Sequence, residues 1–121
     1  MIKVLYTDDE ADICELVQMA LELDPELDVR ICQSGQDALA EASQWRPDII
    51  LLDVMMPGMD GETVLSKLRE QAETADIPVA FITARKHAQE VARLEELGVK
   101  GVLGKPFDPM GLATQIKGLL D

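Results

Sequence analysis

Short apolar runs alternate along the chain with longer segments whose apolar residues recur at helical spacing. An apolar run without polar alternation is typical of a strand that is covered on both faces of a parallel sheet. Such runs predict five strands, at residues 3–7, 29–32, 49–53, 77–83 and 99–104. The third run holds no polar residue before its final aspartate, as expected for a central strand.

Apolar stripes and residues that favour helix ends predict five helices. The first stripe ends before Asp24-Pro25, because a residue that precedes a proline is disfavoured in the helical conformation. The predicted helices are residues 12–23, a helix that begins after Ser34 as its N-cap, a helix through residues 64–68, residues 86–97 capped by Gly98, and a helix that begins at Pro109.

The alternation of strands and helices predicts the fold class. Five βα units follow one another with connections of ordinary length, and no repeat or linker interrupts them. Because crossovers between parallel strands are right-handed, helices cover both faces of the sheet. We therefore predict an α/β fold, a single domain over residues 1–121 with a three-layer, doubly wound parallel sheet. Trp45 precedes the third strand and is expected at the amino end of that sheet.

Composition and charge narrow the functions open to this domain. The formal net charge is −12 and the pI is near 4.3, so phosphate backbones and anionic lipids should repel it. We expect no direct contact with nucleic acid or membrane, and no apolar run reaches the roughly 20 residues that span a bilayer. Cys14 and Cys32 form no motif, and the start of the chain does not read as a signal peptide. A reducing cytoplasm is therefore the expected location.

Polar residues follow the predicted strands at the points where those strands end. They are Asp8 and Asp9 after the first strand, Asp53 at the end of the third, Thr83 at the end of the fourth and Lys105 after the fifth. The carboxyl ends of parallel strands meet at one edge of a sheet, where such folds bind ligands. Carboxylates gathered there repel one another unless a cation joins them.

The residue types at this edge indicate phosphoryl chemistry. Carboxylates with few other ligands suit Mg²⁺, which prefers oxygen and keeps several waters. Lys105 supplies a point charge for phosphate, and the Thr83 hydroxyl can donate a hydrogen bond to a phosphoryl oxygen. No cysteine or serine stands at this edge as a nucleophile. The carboxylate of Asp53 is then the natural nucleophile, which would give an aspartyl-phosphate.

Four motifs in this order resemble the receiver domain of two-component response regulators, over essentially the whole chain. They are Asp8-Asp9, the segment Leu52-Asp53-Val54-Met55-Met56-Pro57-Gly58-Met59-Asp60-Gly61, Thr83-Ala84 and Lys105-Pro106-Phe107. The resemblance implies the flavodoxin-like strand order 2-1-3-4-5. It also implies that Asp53 accepts a phosphoryl group from a sensor histidine kinase or a phosphotransfer protein.

The same resemblance implies roles for the other residues of the edge. Asp8, Asp9 and Asp53, with the backbone carbonyl of Met55, would bind Mg²⁺, or Mn²⁺ in its place. Lys105 would pair with the phosphoryl group.

A switch that reports phosphorylation is also implied, and here the chain departs from the family. Thr83 would move toward the phosphoryl group. Family members often carry an aromatic residue three positions before the lysine, whose ring follows the threonine, but this chain has Val102 there. Valine cannot reproduce that swing. We therefore expect the readout to run through backbone shifts after Thr83 and in the fourth helix.

Two other readings compete with this one. A phosphohydrolase of the haloacid-dehalogenase type would carry a second acid two residues after the nucleophile, where this chain has Met55. A pseudo-receiver that only binds partners would lack one of the acids or the lysine.

We expect a signalling domain that catalyses only its own phosphorylation and autodephosphorylation. It would act on a downstream protein or on an output domain outside this sequence, and a weak homodimer through the fourth and fifth helices stays open.

Overall fold

A computed structural model describes residues 1–84 and 87–121 of the chain. Its strands are β1 (Ile2–Thr7), β2 (Leu27–Cys32), β3 (Ile49–Asp53), β4 (Val79–Thr83) and β5 (Gly101–Gly104). All pairings between neighbouring strands are parallel, and the order across the sheet is β2-β1-β3-β4-β5. The predicted fold class and the strand order implied by the resemblance are both confirmed.

Five helices connect or follow the strands within the described residues. They are α1 (Ala11–Glu22), α2 (Gly35–Trp45), α3 (Gly61–Glu70), α4 (Ala88–Glu95) and α5 (Pro109–Leu120). The predicted N-cap is confirmed, because the Ser34 hydroxyl accepts a hydrogen bond from the Asp37 N–H at 3.1 Å. Across 1–84 and 87–121, these helices are all too short to cross a bilayer.

Several predicted boundaries differ from the observed ones by a few residues. β2 begins at Leu27 rather than at residue 29, because its pairing with β1 starts at Ile2 opposite Leu27. β4 begins at Val79, after Pro78, whose missing N–H cannot join the ladder. α4 ends at Glu95, and Gly98 follows with φ of +83°, a conformation that favours glycine. The predicted start of this helix at residue 86 lies outside the described residues.

The core consists of two apolar layers, one on each face of the sheet. Side chains of α2, α3 and α4 cover one face, and those of α1 and α5 cover the other. β3 and β4 are buried along their whole length and supply residues to both layers. Alternation along β1 places Leu5 in the first layer and Val4 and Tyr6 in the second.

The register of the sheet aligns the carboxyl ends of its strands. Thr7 pairs with Leu52, Asp53 with Ile82, and Thr83 with Gly104. The polar residues that follow β1, β3, β4 and β5 therefore share one edge.

Helix α3 begins directly behind the end of β3. The Gly61 N–H donates to the Val54 carbonyl at 3.1 Å, and a Cβ at Gly61 would lie 2.5 Å from the Asp53 carbonyl oxygen. Only glycine lets the helix approach the strand this closely. The backbone of Asp53 is thus held by direct contact with α3.

Trp45 lies at the other edge of the sheet, where the strands begin. The guanidinium of Arg30 lies 4.4 Å from the centre of its ring and the Lys3 ammonium 5.7 Å from it. Lys3 also donates to the Trp45 carbonyl at 3.0 Å. The indole therefore lies beside two cations at the amino edge, as the sequence predicted for its position along the sheet.

Candidate functional site

Asp53 ends β3 and lies almost completely buried, with 4% of its surface exposed. Its Oδ2 atom accepts a hydrogen bond from the Lys105 ammonium at 2.8 Å, and its Oδ1 atom accepts one from the Met55 N–H at 3.1 Å. The strand fixes the backbone of this residue, and the following turn supplies a donor to its side chain. The carboxylate is therefore oriented from two sides.

Asp8 follows β1 and is fully buried. Its Oδ2 atom accepts from the Tyr6 hydroxyl at 2.9 Å and lies 2.8 Å from the Lys105 ammonium. Its Oδ1 atom accepts from the Glu10 N–H at 3.0 Å, as aspartates often do from a backbone amide two residues on. A buried carboxylate needs such donors, and this one has three.

Lys105 joins the two aspartates. Its Nζ atom lies 2.8 Å from Oδ2 of both Asp53 and Asp8 and 3.6 Å from Oε1 of Glu10. Only 13% of its side chain is exposed, and its own N–H donates to the Thr83 carbonyl at 2.8 Å. Its peptide bond to Pro106 is cis. The ammonium thus lies between the acids that the sequence placed at this edge.

The acids of this edge form a group that fits a divalent metal ion. Oxygen atoms of Asp8, Glu10 and Asp53 lie within 4.8 Å of one another. These are the hard donors that Mg²⁺ prefers. Three carboxylates and one ammonium carry two net negative charges, which a divalent cation would balance. The donor set and the charge therefore both fit Mg²⁺ or Mn²⁺.

The structure brings some of the predicted site residues into contact and leaves others apart. Asp8, Asp53 and Lys105 are in direct contact, whereas Asp9 is exposed and stands outside the group of three acids. Glu10 is a member of that group that the sequence analysis did not propose. The metal-binding roles of Asp8, Asp9, Asp53 and the Met55 carbonyl all stay predictions.

The pKa values of the two central aspartates move in opposite directions. Burial raises the pKa of Asp53 to about 6, repulsion from Asp8 adds to the rise, and the hydrogen bond from Lys105 offsets only part of it. Burial also acts to raise the pKa of Asp8, but the hydrogen bonds from Lys105, the Glu10 N–H and Tyr6 lower it below its usual range. The hydrogen bond from Tyr6, which Asp53 lacks, contributes to the lower pKa of Asp8.

Lys105 and Tyr6, which donate hydrogen bonds to these aspartates, stay protonated at neutral pH. Burial opposes the charge of Lys105, but its hydrogen bonds to Asp53 and Asp8 raise its pKa above the usual range. Burial raises the pKa of Tyr6, and the Asp8 carboxylate raises it further. The tyrosine hydroxyl is therefore a donor and the lysine an ammonium.

Thr83 and Val102 lie on the neighbouring strands β4 and β5, near this site. Thr83 is 1% exposed at the end of β4, and Val102 is half-buried in β5. Both line a surface cavity of about 630 Å³, together with residues of α4 and α5 such as Val91 and Gln115. The two residues predicted to form the switch thus share one cavity, and their switching role stays a prediction.

Known proteins show which family carries this kind of site. A family model described as the response regulator receiver domain matches residues 4–117. The DNA-binding dual master transcriptional regulator RpaA of Synechocystis sp. is 38% identical over 120 residues, which cover 99% of this chain and 49% of RpaA. The alkaline phosphatase synthesis transcriptional regulatory protein PhoP of Bacillus subtilis is 36% identical over 118 residues, which cover 98% of this chain and 48% of PhoP.

Solved structures of response regulators and chemotaxis proteins share the fold of this chain. The chemotaxis protein CheY4 of Vibrio cholerae is similar, with a TM-score of 0.89, 32% sequence identity and 99% of each chain covered. The receiver domain of Francisella response regulator 1452 has a TM-score of 0.88 at 27% identity and covers 99% of this chain and 97% of its own.

A doubly wound parallel sheet that gathers acids and a lysine at its carboxyl edge defines a class of signalling domains that accept a phosphoryl group. The chain belongs to the response regulator receiver domain family. It is therefore a phosphoacceptor switch of a two-component system. The chain spans about half the length of the curated relatives named above.

Proposed function

We propose that Asp53 is the phosphoacceptor and that its phosphoryl donor is the phosphohistidine of a sensor histidine kinase or a phosphotransfer protein. A carboxylate oxygen of Asp53 would attack phosphorus as the bond between phosphorus and the histidine nitrogen breaks. The imidazole would leave with that electron pair, and an acyl phosphate would remain on Asp53. One observation carries the proposal: the ammonium of Lys105 lies 2.8 Å from Oδ2 of Asp53 and equally close to Oδ2 of Asp8.

The surroundings of Asp53 suit this transfer. Phosphoryl transfer passes through a loose transition state, so a protein mainly positions the reacting groups and neutralises charge. Lys105 would follow the negative charge as it spreads onto the transferred oxygens, because its ammonium is already within reach of the site. The Met55 N–H would keep the other carboxylate oxygen of Asp53 in place.

A divalent cation forms part of the proposal. Asp8 and Asp53 would hold Mg²⁺ or Mn²⁺ with Asp9, the Met55 carbonyl or Glu10 as the further protein ligand. The ion would supply positive charge to the phosphoryl oxygens. The support for this ion is the group of oxygen donors within 4.8 Å and the two excess negative charges described above.

Readout through Thr83 is the next part of the proposal. The Thr83 hydroxyl would move toward the phosphoryl group, and the backbone after Thr83 would follow. Val102 lines the same cavity without filling it with a ring. The change would therefore reach α4 through the backbone rather than through a rotating aromatic side chain.

The wider role of the protein is proposed from its relatives. Two of them are named as transcriptional regulators and are about twice as long as this chain. This domain would act on a downstream protein or on an output segment outside the sequence, and it would catalyse only its own phosphorylation and dephosphorylation. The net charge of −12 supports the absence of direct nucleic-acid binding by this domain. A cytoplasmic location and a weak homodimer stay predictions.

Incubation with acetyl phosphate and Mg²⁺, followed by intact mass measurement, tests the proposal. We expect one phosphoryl adduct on the wild-type chain, no adduct on Asp53→Asn and a normal adduct on Asp76→Asn. Asp76 is an exposed aspartate at the amino edge of the sheet, so it is a matched control for the same chemical change.

Two outcomes would contradict the proposal and favour its rivals. An unmodified wild-type chain with every phosphodonor would favour a domain that only binds partners. Turnover of phosphate esters far beyond one equivalent would favour a phosphohydrolase.

A further inference from the structure

Tyr6 brings a hydroxyl group into the apolar layer between the sheet and helices α1 and α5. It is the single tyrosine of the chain, and its side chain is fully buried. Its ring packs in the layer formed with α1 and α5 and meets the Phe107 ring edge-on, with centroids 6.5 Å apart. The ring therefore has little freedom, and its hydroxyl points to a fixed place.

That fixed place is the carboxylate of Asp8. Side chains two residues apart on a strand share a face, and the Tyr6 hydroxyl donates to Oδ2 of Asp8 at 2.9 Å. The same oxygen lies 2.8 Å from the Lys105 ammonium. Oδ2 of Asp8 thus has two donors, one from a rigid aromatic ring and one from a flexible lysine.

The two donors differ in their other hydrogen-bond and ion-pair partners. Lys105 divides its charge between Asp8 and Asp53, with 2.8 Å to each. Within residues 1–84 and 87–121, the Tyr6 hydroxyl has Asp8 as its one side-chain partner. If Lys105 turned toward a phosphoryl group on Asp53, Oδ2 of Asp8 would lose one donor and keep the other.

We propose that Tyr6 is a positioning residue for the metal and phosphoryl site, which holds the Asp8 carboxylate in place while Lys105 turns to the phosphoryl group. This inference rests on the proposed phosphorylation of Asp53. A buried carboxylate with a free oxygen rotates toward any donor within reach, so a fixed partner preserves its orientation toward a metal ion. The hydroxyl would act on Asp8 and would not touch the reacting atoms.

A competing reading treats Tyr6 as an ordinary core aromatic residue whose hydroxyl has found a partner. On that reading, the removal of the hydroxyl lowers stability and changes nothing at the site. The two readings are separated by Tyr6→Phe, which keeps the ring and removes the donor.

The matched control is Thr74→Val. Thr74 is also fully buried, and its hydroxyl donates to the Leu68 carbonyl at 2.7 Å in a segment remote from the acids. Both variants lose one buried hydroxyl hydrogen bond, but only one of those bonds reaches the site. A loss caused by stability alone would appear in both.

The first measurement is Mg²⁺ affinity from amide chemical shifts, together with the rate of adduct formation from acetyl phosphate. Because partners of a metal-binding carboxylate typically alter affinity by 10- to 100-fold, we expect Mg²⁺ to bind Tyr6→Phe about tenfold more weakly. Adduct formation should slow at a fixed Mg²⁺ concentration and recover at saturating Mg²⁺. Thr74→Val should match the wild type in both. Wild-type affinity and rate in Tyr6→Phe would overturn the inference.

The second measurement needs no variant. Tyrosine labelled with ¹³C at Cζ gives a single resonance, because the chain has one tyrosine. Addition of beryllofluoride, a phosphoryl mimic, to the Mg²⁺-loaded protein should shift this resonance, since Asp8 Oδ2 then relies on Tyr6 alone. An unchanged resonance, in a protein whose Lys105 signals do respond, would overturn the inference and leave the proposed function standing. A wild-type chain that binds neither Mg²⁺ nor beryllofluoride would instead refute the proposed function.

Discussion

The centre of the sheet and its β5 side are held in very different ways. Every residue of β3 is buried, whereas every residue of β5 is only half-buried. Helix α4, which packs beside β5, buries Leu94 alone within Ala88–Glu95. The central strand can therefore keep Asp53 fixed, while the β5 side has little packing to resist a shift. A switch benefits from this division, because one part must stay in place while another moves.

The two regions are nevertheless connected by one residue. Lys105 follows β5, but its ammonium reaches Asp53 and Asp8 in the centre, and its N–H binds the Thr83 carbonyl. A movement of the lysine at the centre would therefore act on β5, which has no fully buried residue.

Truncation of matching leucines should give the largest difference between the regions. Leu51 in β3 is fully buried, and Leu103 in β5 is half-buried in the same apolar layer. We expect Leu51→Ala to lower the free energy of unfolding by about 3 kcal/mol, in the range for buried leucines. Leu103→Ala should cost about 1 kcal/mol, because less apolar surface is lost. Urea unfolding measures both, and equal losses would contradict the comparison.

Removal of the Asp53 charge should stabilise the metal-free protein. The folded protein holds the Asp53 proton more tightly than the unfolded chain does, because burial raises its pKa from 3.8 to about 6. Ionisation therefore costs stability as the pH rises from about 4 to about 6. Asp53→Asn avoids that cost, so it should gain roughly 2 to 3 kcal/mol at pH 7.

The pH dependence of that gain provides its control. The advantage of Asp53→Asn should shrink as the pH falls through 6 and should disappear below about pH 4, where Asp53 is protonated in both states. Unfolding in urea with a chelator present measures it. A gain that is constant from pH 4 to pH 8 would contradict the raised pKa.

Addition of Mg²⁺ should stabilise the protein by a smaller amount. At a Mg²⁺ concentration ten times the dissociation constant, we expect a rise of about 1.4 kcal/mol in the free energy of unfolding. The rise should be much smaller in Asp53→Asn and normal in Asp76→Asn. Thermal unfolding at constant ionic strength measures it, and an equal rise in both variants would point to unspecific screening.

The smallest effect should come from the ion pairs that tie α4 to α3. Arg93 binds both carboxylate oxygens of Glu62 at 2.9 Å and also pairs with Glu90. These groups are partly exposed, so Arg93→Gln should leave the melting temperature almost unchanged. It should nevertheless speed amide hydrogen exchange in Ala88–Glu95, because little other packing holds that helix.

The matched control for Arg93→Gln is Arg30→Gln. Arg30 pairs with Glu41 of α2 on another side of the protein. Its substitution should leave exchange in α4 as it was. Faster exchange in α4 in both variants would show that the α3–α4 ion pairs have no special role.

The strands and helices could be predicted because their signals are local. Apolar runs and helical stripes are visible within a few residues, and Ser34 and Pro109 mark helix starts through their own chemistry. The exact ends of β2 and β5 could not be predicted, because pairing with a neighbouring strand decides where a strand begins. That neighbour is distant in sequence.

The site could be predicted only in part, and its missed residues show why. Asp8, Asp53 and Lys105 stand at strand ends, so topology alone brings them together. The contact of Glu10 with Lys105 depends on a turn in which its N–H binds the Asp8 carboxylate, and residue type does not specify that turn. Tyr6 had a usable signal, since the two-residue period of a strand places it beside Asp8.

The position of Trp45 has a practical consequence for optical spectroscopy. The one tryptophan lies at the amino edge near Arg30 and Lys3, and the one tyrosine lies at the carboxyl edge against Asp8. The tryptophan and the tyrosine therefore lie at opposite ends of the sheet. Tryptophan emission should stay unchanged when Mg²⁺ binds and should change when the protein unfolds. Tyrosine absorbance should change when Mg²⁺ binds at the site. A single unlabelled sample can therefore distinguish a ligand that occupies the site from one that merely stabilises the fold.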